Sequence, residues 1–181
     1  MGIEISILDW IQSLRSPIGD MAIPLITKLG DGGAIWILLA VILLVNSGKR
    51  KSGAILAVAL CVDVILCNGI LKNLFGRIRP CDVNASVPLL IARPDDFSFP
   101  SGHTAASFAA VTALIRAGES KLWKPALFLA ILIAFSRLYL YVHYPTDILG
   151  GIIVGIAAGT VGYMLVAKVK RNSRLTKSMT E

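Results

Sequence analysis

The chain is poor in residues that bind metals or form cross-links, with two histidines and three cysteines among 181 residues. Cys61, Cys67 and Cys81 show neither the paired spacing of zinc ligands nor an even disulfide framework. Cys61 and Cys67 fall inside an apolar run, where cysteine serves as a small hydrophobe. Acidic residues are also few, 11 against 18 Lys and Arg, for a formal charge of +7. Nucleic acid is not the expected partner, because aromatic residues make up only 7% and are not interleaved with the basic ones to stack bases. Met1, Gly2, Ile3 and Glu4 lack the basic opening of a secretory signal, so no cleaved leader is expected. There is no internal repeat of the kind that builds many transporters.

What the chain has in abundance is apolar sequence. Its hydrophobic content of 55% and mean hydropathy of +0.73 exceed the soluble norm of roughly 45–50% apolar. The apolar residues are gathered into segments of the length a bilayer requires, at about 33–46, 53–71, 104–115, 126–142 and 148–169. Ahead of them, Ile3, Ile7, Leu8, Ile11 and Leu14 recur at helical spacing and predict an amphipathic helix at the interface. Residues 17–29 are broken by Asp20, Pro24 and Lys28, which fits a short span, a half-helix or a re-entrant segment. The expected fold is all-α, an integral-membrane helical bundle, organised as an N-terminal unit (1–30), a membrane core (31–169) and a basic cytoplasmic tail (170–181).

Lys and Arg in short loops favour the cytoplasmic side. Lys49, Arg50 and Lys51 mark one such loop, Arg116, Lys121 and Lys124 a second, and Lys168, Lys170, Arg171, Arg174 and Lys177 the tail. All three agree on one topology if the intervening spans each cross once. Lys72, Arg77, Arg79, Arg93 and Arg137 then fall at or near the outer face, against the rule, and a cationic cluster there reads as an anion site. Gly151, Gly155 and Gly159 put a flat strip on the last span for close helix packing.

Three polar clusters converge on that outer face. Lys72 with Arg79 and Pro80 offers a point charge and a planar fork, suited to a dianion, although alone the two are as readily snorkelling cations at a helix end. Ser101, Gly102 and His103 stand where a loop enters an apolar helix, whose unpaired N–H groups favour an anion; Ser101 alone is equally a helix cap. Ser136 and His143 share a helix face, with Arg137 beside it, and Asp147 is within reach of His143 despite Pro145. A histidine held by a carboxylate through one nitrogen presents the other as a nucleophile. The only two histidines thus belong to polar clusters at one predicted membrane level, and the surrounding cations make a poor metal cage, so no metal is expected.

The three signatures K-x-x-x-x-x-x-R-P (Lys72 to Pro80), P-S-G-H (Pro100 to His103) and S-R-x-x-x-x-x-H-x-x-x-D (Ser136 to Asp147) resemble those of the type 2 phosphatidic acid phosphatase superfamily. The resemblance spans roughly residues 50–165; the first 30 residues match nothing in it. It implies a bundle of about six spans, with a site near the outer boundary of the cell membrane and no cofactor. It also implies that His143 attacks phosphorus, Asp147 orients it and His103 protonates the leaving oxygen, while Lys72, Arg79, Ser101, Gly102 and Arg137 hold the phosphoryl oxygens. The implied substrate is a lipid phosphate or pyrophosphate: undecaprenyl pyrophosphate, phosphatidylglycerophosphate or phosphatidic acid. A phosphotransferase of the same superfamily fits equally well. A transporter or flippase is the rival from another class, with Asp63 in mid-span as its best support.

Overall fold

The computed structural model describes the backbone of residues 2–178 and the side chains of residues 2–169. The basic tail expected at 170–181 lies outside the residues whose side chains are described. Every regular element among the described residues is helical.

Helix α1 (Gly2–Ser13) buries Leu8 and Ile11 and leaves Ile3, Ile7 and Trp10 exposed. Its apolar side chains therefore divide between two faces, one against the protein and one outward. Helix α2 (Pro17–Leu29) starts as its sequence dictates, with Pro17 in the first turn and the Ser16 hydroxyl accepting from the Gly19 N–H at 3.2 Å. It ends at Gly30, and a turn at Asp31–Gly33 leads into α3 (Ala34–Val45). Gly32 and Gly33 have φ of 57° and 73°, a left-handed geometry that glycine adopts without strain. The axes of the two helical segments differ by 44°. Residues 17–29 are thus one limb of a bent pair, a broken span or a re-entrant loop by length and composition.

Helix α4 (Arg50–Asp63) continues without a break through wide π-helical turns at Val64–Leu71 into α5 (Lys72–Phe75), which Gly76 ends in the left-handed conformation. A single turn, α6 (Pro80–Val83), opens the long connection to α7 (Gly102–Ala117). Helix α8 (Trp123–Tyr139) and helix α9 (Pro145–Ser178) complete the chain.

Helix α7 is the central post, flanked by α4, α8 and α9. The glycine strip of α9 lies against it: a Cβ at Gly155 would stand 2.5 Å from the Ala105 carbonyl oxygen, and one at Gly159 2.8 Å from that of Ala109. Only a hydrogen atom fits, so the backbones approach as the small-residue repeat leads one to expect. One apolar core joins Trp36, Leu56, Leu114 and Ile133, and a second joins Leu8, Tyr141 and Tyr144 under α1. At the far end of α7, Lys49 pairs with Glu119 at 2.5 Å and thereby brings two of the basic loops together.

Isoleucine, leucine and phenylalanine side chains such as Ile65, Phe128, Ile131 and Ile153 point outward, which fits a surface solvated by lipid rather than water. Two helical stretches, Arg50–Val83 and Pro145–Val169, are long and apolar enough to cross a membrane, or three if the bent pair counts as one span. Helices α7 and α8, at 16 and 17 residues, fall short of the ~20 residues a straight crossing requires. Their ends are taken by Gly118 at one extreme and by site loops at the other.

Candidate active site

A cavity of about 600 Å³ lies beside the N-terminus of α7 and is lined by Lys72, Arg79, Gly102, His103, Arg137 and His143, among others. The structure thus brings six of the eight sequence-predicted site residues to one space. The other two are set back. Asp147 is fully buried behind His143. Ser101 sits at the N-cap position of α7 without capping it; its Oγ accepts from the Thr104 hydroxyl at 3.0 Å, and its N–H donates to the Asp147 carbonyl at 3.1 Å.

Arg79 is fixed by its neighbours. The following Pro80 keeps it extended, with φ −74° and ψ 153°. Its guanidinium donates to the Asp96 carbonyl at 2.8 Å and the Val142 carbonyl at 2.7 Å. The same Nη1 stands 3.1 Å from His143 Nε2. A guanidinium can only donate, so Nε2 carries the bare lone pair and Nδ1 the proton. Nδ1 stands 3.5 Å from Asp147 Oδ2, an ion-pair distance longer than a good hydrogen bond, and has no hydrogen-bond partner. Burial, with help from Arg79 and Arg137, outweighs the pull of Asp147 and holds the His143 imidazole down at about 3. At neutral pH the ring is therefore uncharged.

The loop that carries His143 is tightly made. Tyr141 has φ 60°, an uncommon value for a side chain of its size, and its hydroxyl donates to Asp9 of α1 at 2.7 Å. Asp147 is held on both oxygens: Oδ1 accepts from Arg77 at 2.6 Å, and Oδ2 accepts from the Tyr144 N–H at 2.8 Å and from the Ser98 hydroxyl. Arg77 also donates to Glu4 at 2.6 Å and stacks 4.0 Å from the Tyr144 ring centroid, tying α1 to the same knot.

Two carboxylates that the sequence did not single out complete the cavity. Asp96 bridges the side chains of Lys72 and Arg79, both nearly buried, while remaining half exposed itself. Burial alone would raise its carboxyl, yet the two cations outweigh burial and hold it down at about 2. A carboxylate thus rests in the cationic cradle. Asp31, in the turn between α2 and α3, meets His103 Nε2 at 2.8 Å. Arg137 reaches back to the Thr27 hydroxyl at 2.7 Å, while its buried Nε has no partner. Beyond His103 a second cavity of about 270 Å³ contains Asp63 and Asn68, and Asp63 Oδ1 is buried without a partner. Among the described residues no group of three or more His, Cys, Asp or Glu converges as a metal cage.

The described residues thus form an all-helical fold with outward apolar faces and a cationic cavity that holds both histidines. The chain belongs to the PAP2 superfamily, whose family model matches residues 52–171. It is 28% identical over 121 residues to the undecaprenyl-diphosphatase of Sulfolobus acidocaldarius, an alignment that covers 67% of this chain and 58% of that protein. It is 28% identical over 180 residues to the lipid A 4'-phosphatase of Bacteroides thetaiotaomicron, covering 92% of this chain and 78% of the relative. With the undecaprenyl-diphosphatase BcrC of Bacillus subtilis it shares 32% over 123 residues, covering 68% of this chain and 62% of that one. Against two of these three relatives, then, the chain spans about three fifths of their length. Among solved structures, Aquifex aeolicus LpxE superposes with a TM-score of 0.76 at 27% identity, covering 88% of this chain and 94% of LpxE.

Proposed function

We propose that the protein is an integral-membrane phosphatase that hydrolyses a lipid phosphate or pyrophosphate through a phosphohistidine intermediate on His143. The observation that carries this reading is the bare Nε2 of His143 beside Arg79, in a cavity shared with Lys72, Arg137 and His103. Phosphoryl transfer mainly requires positioning and neutralisation of the equatorial oxygens, and these cations supply both. Nε2 forms a bond to phosphorus as the bond to the leaving oxygen breaks, and His103 gives that oxygen a proton. Water then attacks phosphorus, giving its proton to His103, and His143 leaves with its lone pair. Asp147 balances the positive charge that the ring of His143 gains on phosphorylation. Lys72, Arg79, Gly102 and Arg137 bind the phosphoryl oxygens, and Ser101 supports them from behind the cavity wall.

The lipid tail remains in the bilayer while the head enters the cavity. Undecaprenyl pyrophosphate is the favoured substrate because of the names of two of the relatives, ahead of phosphatidylglycerophosphate and phosphatidic acid. In this reading α7 and α8 also cross, giving a multi-pass bundle of about six spans in the cell membrane. The cavity faces outward, since the paired basic loops at the far end of α7 favour the inside. Residues 1–30 form an N-terminal unit beside a core at 31–169.

The test is phosphate release from a panel of those lipids by detergent-purified protein, with chelator present. Release by the unmodified protein that His143→Ala abolishes is expected; turnover retained by that variant removes the nucleophile assigned here.

A further inference from the structure

The turn at Asp31–Gly33 is fitted to His103. Asp31 Oδ1 meets Nε2 at 2.8 Å, and the neighbouring Gly30 lies so close to the ring edge that a Cβ there would stand 2.9 Å from His103 Cδ2. The left-handed Gly32 and Gly33 let the chain turn sharply at this point. With Nε2 so engaged, Nδ1 makes no hydrogen bond to any described residue and is not sealed from the cavities on either side. Asp31 lies outside residues 52–171, so the family match assigns it nothing.

We propose that Asp31 is a positioning residue for His103, holding Nε2 of the ring so that Nδ1 delivers the proton to the leaving oxygen. This rests on reading His103 as the group that protonates the leaving oxygen. In the phosphorylation step the Nδ1–H bond and the bond from phosphorus to the leaving oxygen break. The O–H bond and the bond from His143 Nε2 to phosphorus form, while Nε2–H of His103 stays on Asp31. Lys72 and Arg137 line the same cavity, and a protonated ring beside two cations is disfavoured unless a carboxylate offsets them. The arrangement parallels the pair at His143, where Asp147 stands 3.5 Å behind Nδ1 and Nε2 is left to the cavity.

The role is tested by the dependence on the leaving group, which a purely structural defect does not move. The full-length protein is assayed for kcat/KM with para-nitrophenyl phosphate, whose leaving group departs without a proton, and with dioctanoyl phosphatidic acid, whose alkoxide does not. Asp31→Asn is expected to lower kcat/KM for the lipid about tenfold or more while changing the aryl ester less than about threefold. Asp31→Glu, which keeps the carboxylate, is expected to restore part of the lipid activity. Equal losses on both substrates, or none on either, overturn the assignment, as does an Asp31→Glu protein no better on the lipid than Asp31→Asn. Failure of the unmodified protein to release phosphate from either probe removes the phosphatase reading itself, and this role with it.

Discussion

Arg79 donates from Nη1 to Nε2 of His143 across 3.1 Å, so one guanidinium leaves that ring nitrogen without a proton and, in the proposed reaction, stands where the transferred phosphoryl group would carry its charge. Replacing it by lysine keeps the charge but loses the fork that also holds the Val142 and Asp96 carbonyls. Arg79→Lys is expected to lower kcat/KM about a hundredfold, as for loss of one preorganised transition-state donor. Steady-state kinetics on a lipid phosphate checks this, and a loss below about threefold contradicts it.

Buried and neutral, His143 makes the fold sensitive to acid. Its folded value of about 3 lies below the unfolded one of 6.5, so between these limits the unfolded chain binds the extra proton. Stability is then lost progressively as pH falls from 6.5 toward 3. Thermal unfolding in detergent at pH 7 and pH 5 is expected to show a smaller drop in Tm for His143→Gln than for the unmodified protein. Identical drops refute the linkage.

Asp96 pairs with Lys72 and Arg79, the cations that hold phosphate in the proposed reaction. Because its carboxyl is held at about 2, no working pH neutralises it, and only substitution can. Asp96→Asn is expected to tighten inhibition by orthophosphate several-fold, since the anion no longer displaces a charge. An unchanged or weaker inhibition constant shows that Asp96 supports the cradle rather than filling it.

The closeness of α7 and α9 depends on hydrogen atoms at the glycine strip. Gly155→Leu forces a side chain against the Ala105 carbonyl oxygen and the Ala109 backbone nitrogen, 2.5 and 2.8 Å from a Cβ. A destabilisation of about 1–3 kcal/mol is expected, seen as a lower Tm in detergent. Gly2→Leu, where nothing lies within 4 Å, serves as the control.

Local pattern carried much of the architecture. The apolar segments announced helices, the glycine repeat announced close packing of α9, though not its partner, and the three polar clusters contain six of the residues that line the cavity. What stayed hidden was non-local. Asp96 lies in an aperiodic loop and gains meaning only from Lys72 and Arg79, 24 and 17 residues away. Asp31 meets a histidine 72 residues downstream, from a segment read only as a break between apolar runs. Arg77 appeared as one surplus cation, and nothing local told that it links Glu4 to Asp147. Ser101 shares the signature of its neighbours, yet a one-residue step at the start of a helix turns its hydroxyl into the packing against Thr104. The expected number of spans does not follow from helix length alone: α7 and α8, at 16 and 17 residues, give residues at their ends to the site and to turns.

The wide turns from Val64 to Leu71 set the azimuth of Lys72 on its rod. Because a π-helical turn holds about one residue more than an ordinary one, shortening that stretch by a residue would let the spiral close to ordinary pitch with Lys72 near its present azimuth. A deletion elsewhere on the rod, with nothing to absorb it, would instead rotate the ammonium by roughly 100° about the axis. The stretch is thus a buffer, where the chain tolerates a change of length that it would not tolerate a turn or two away.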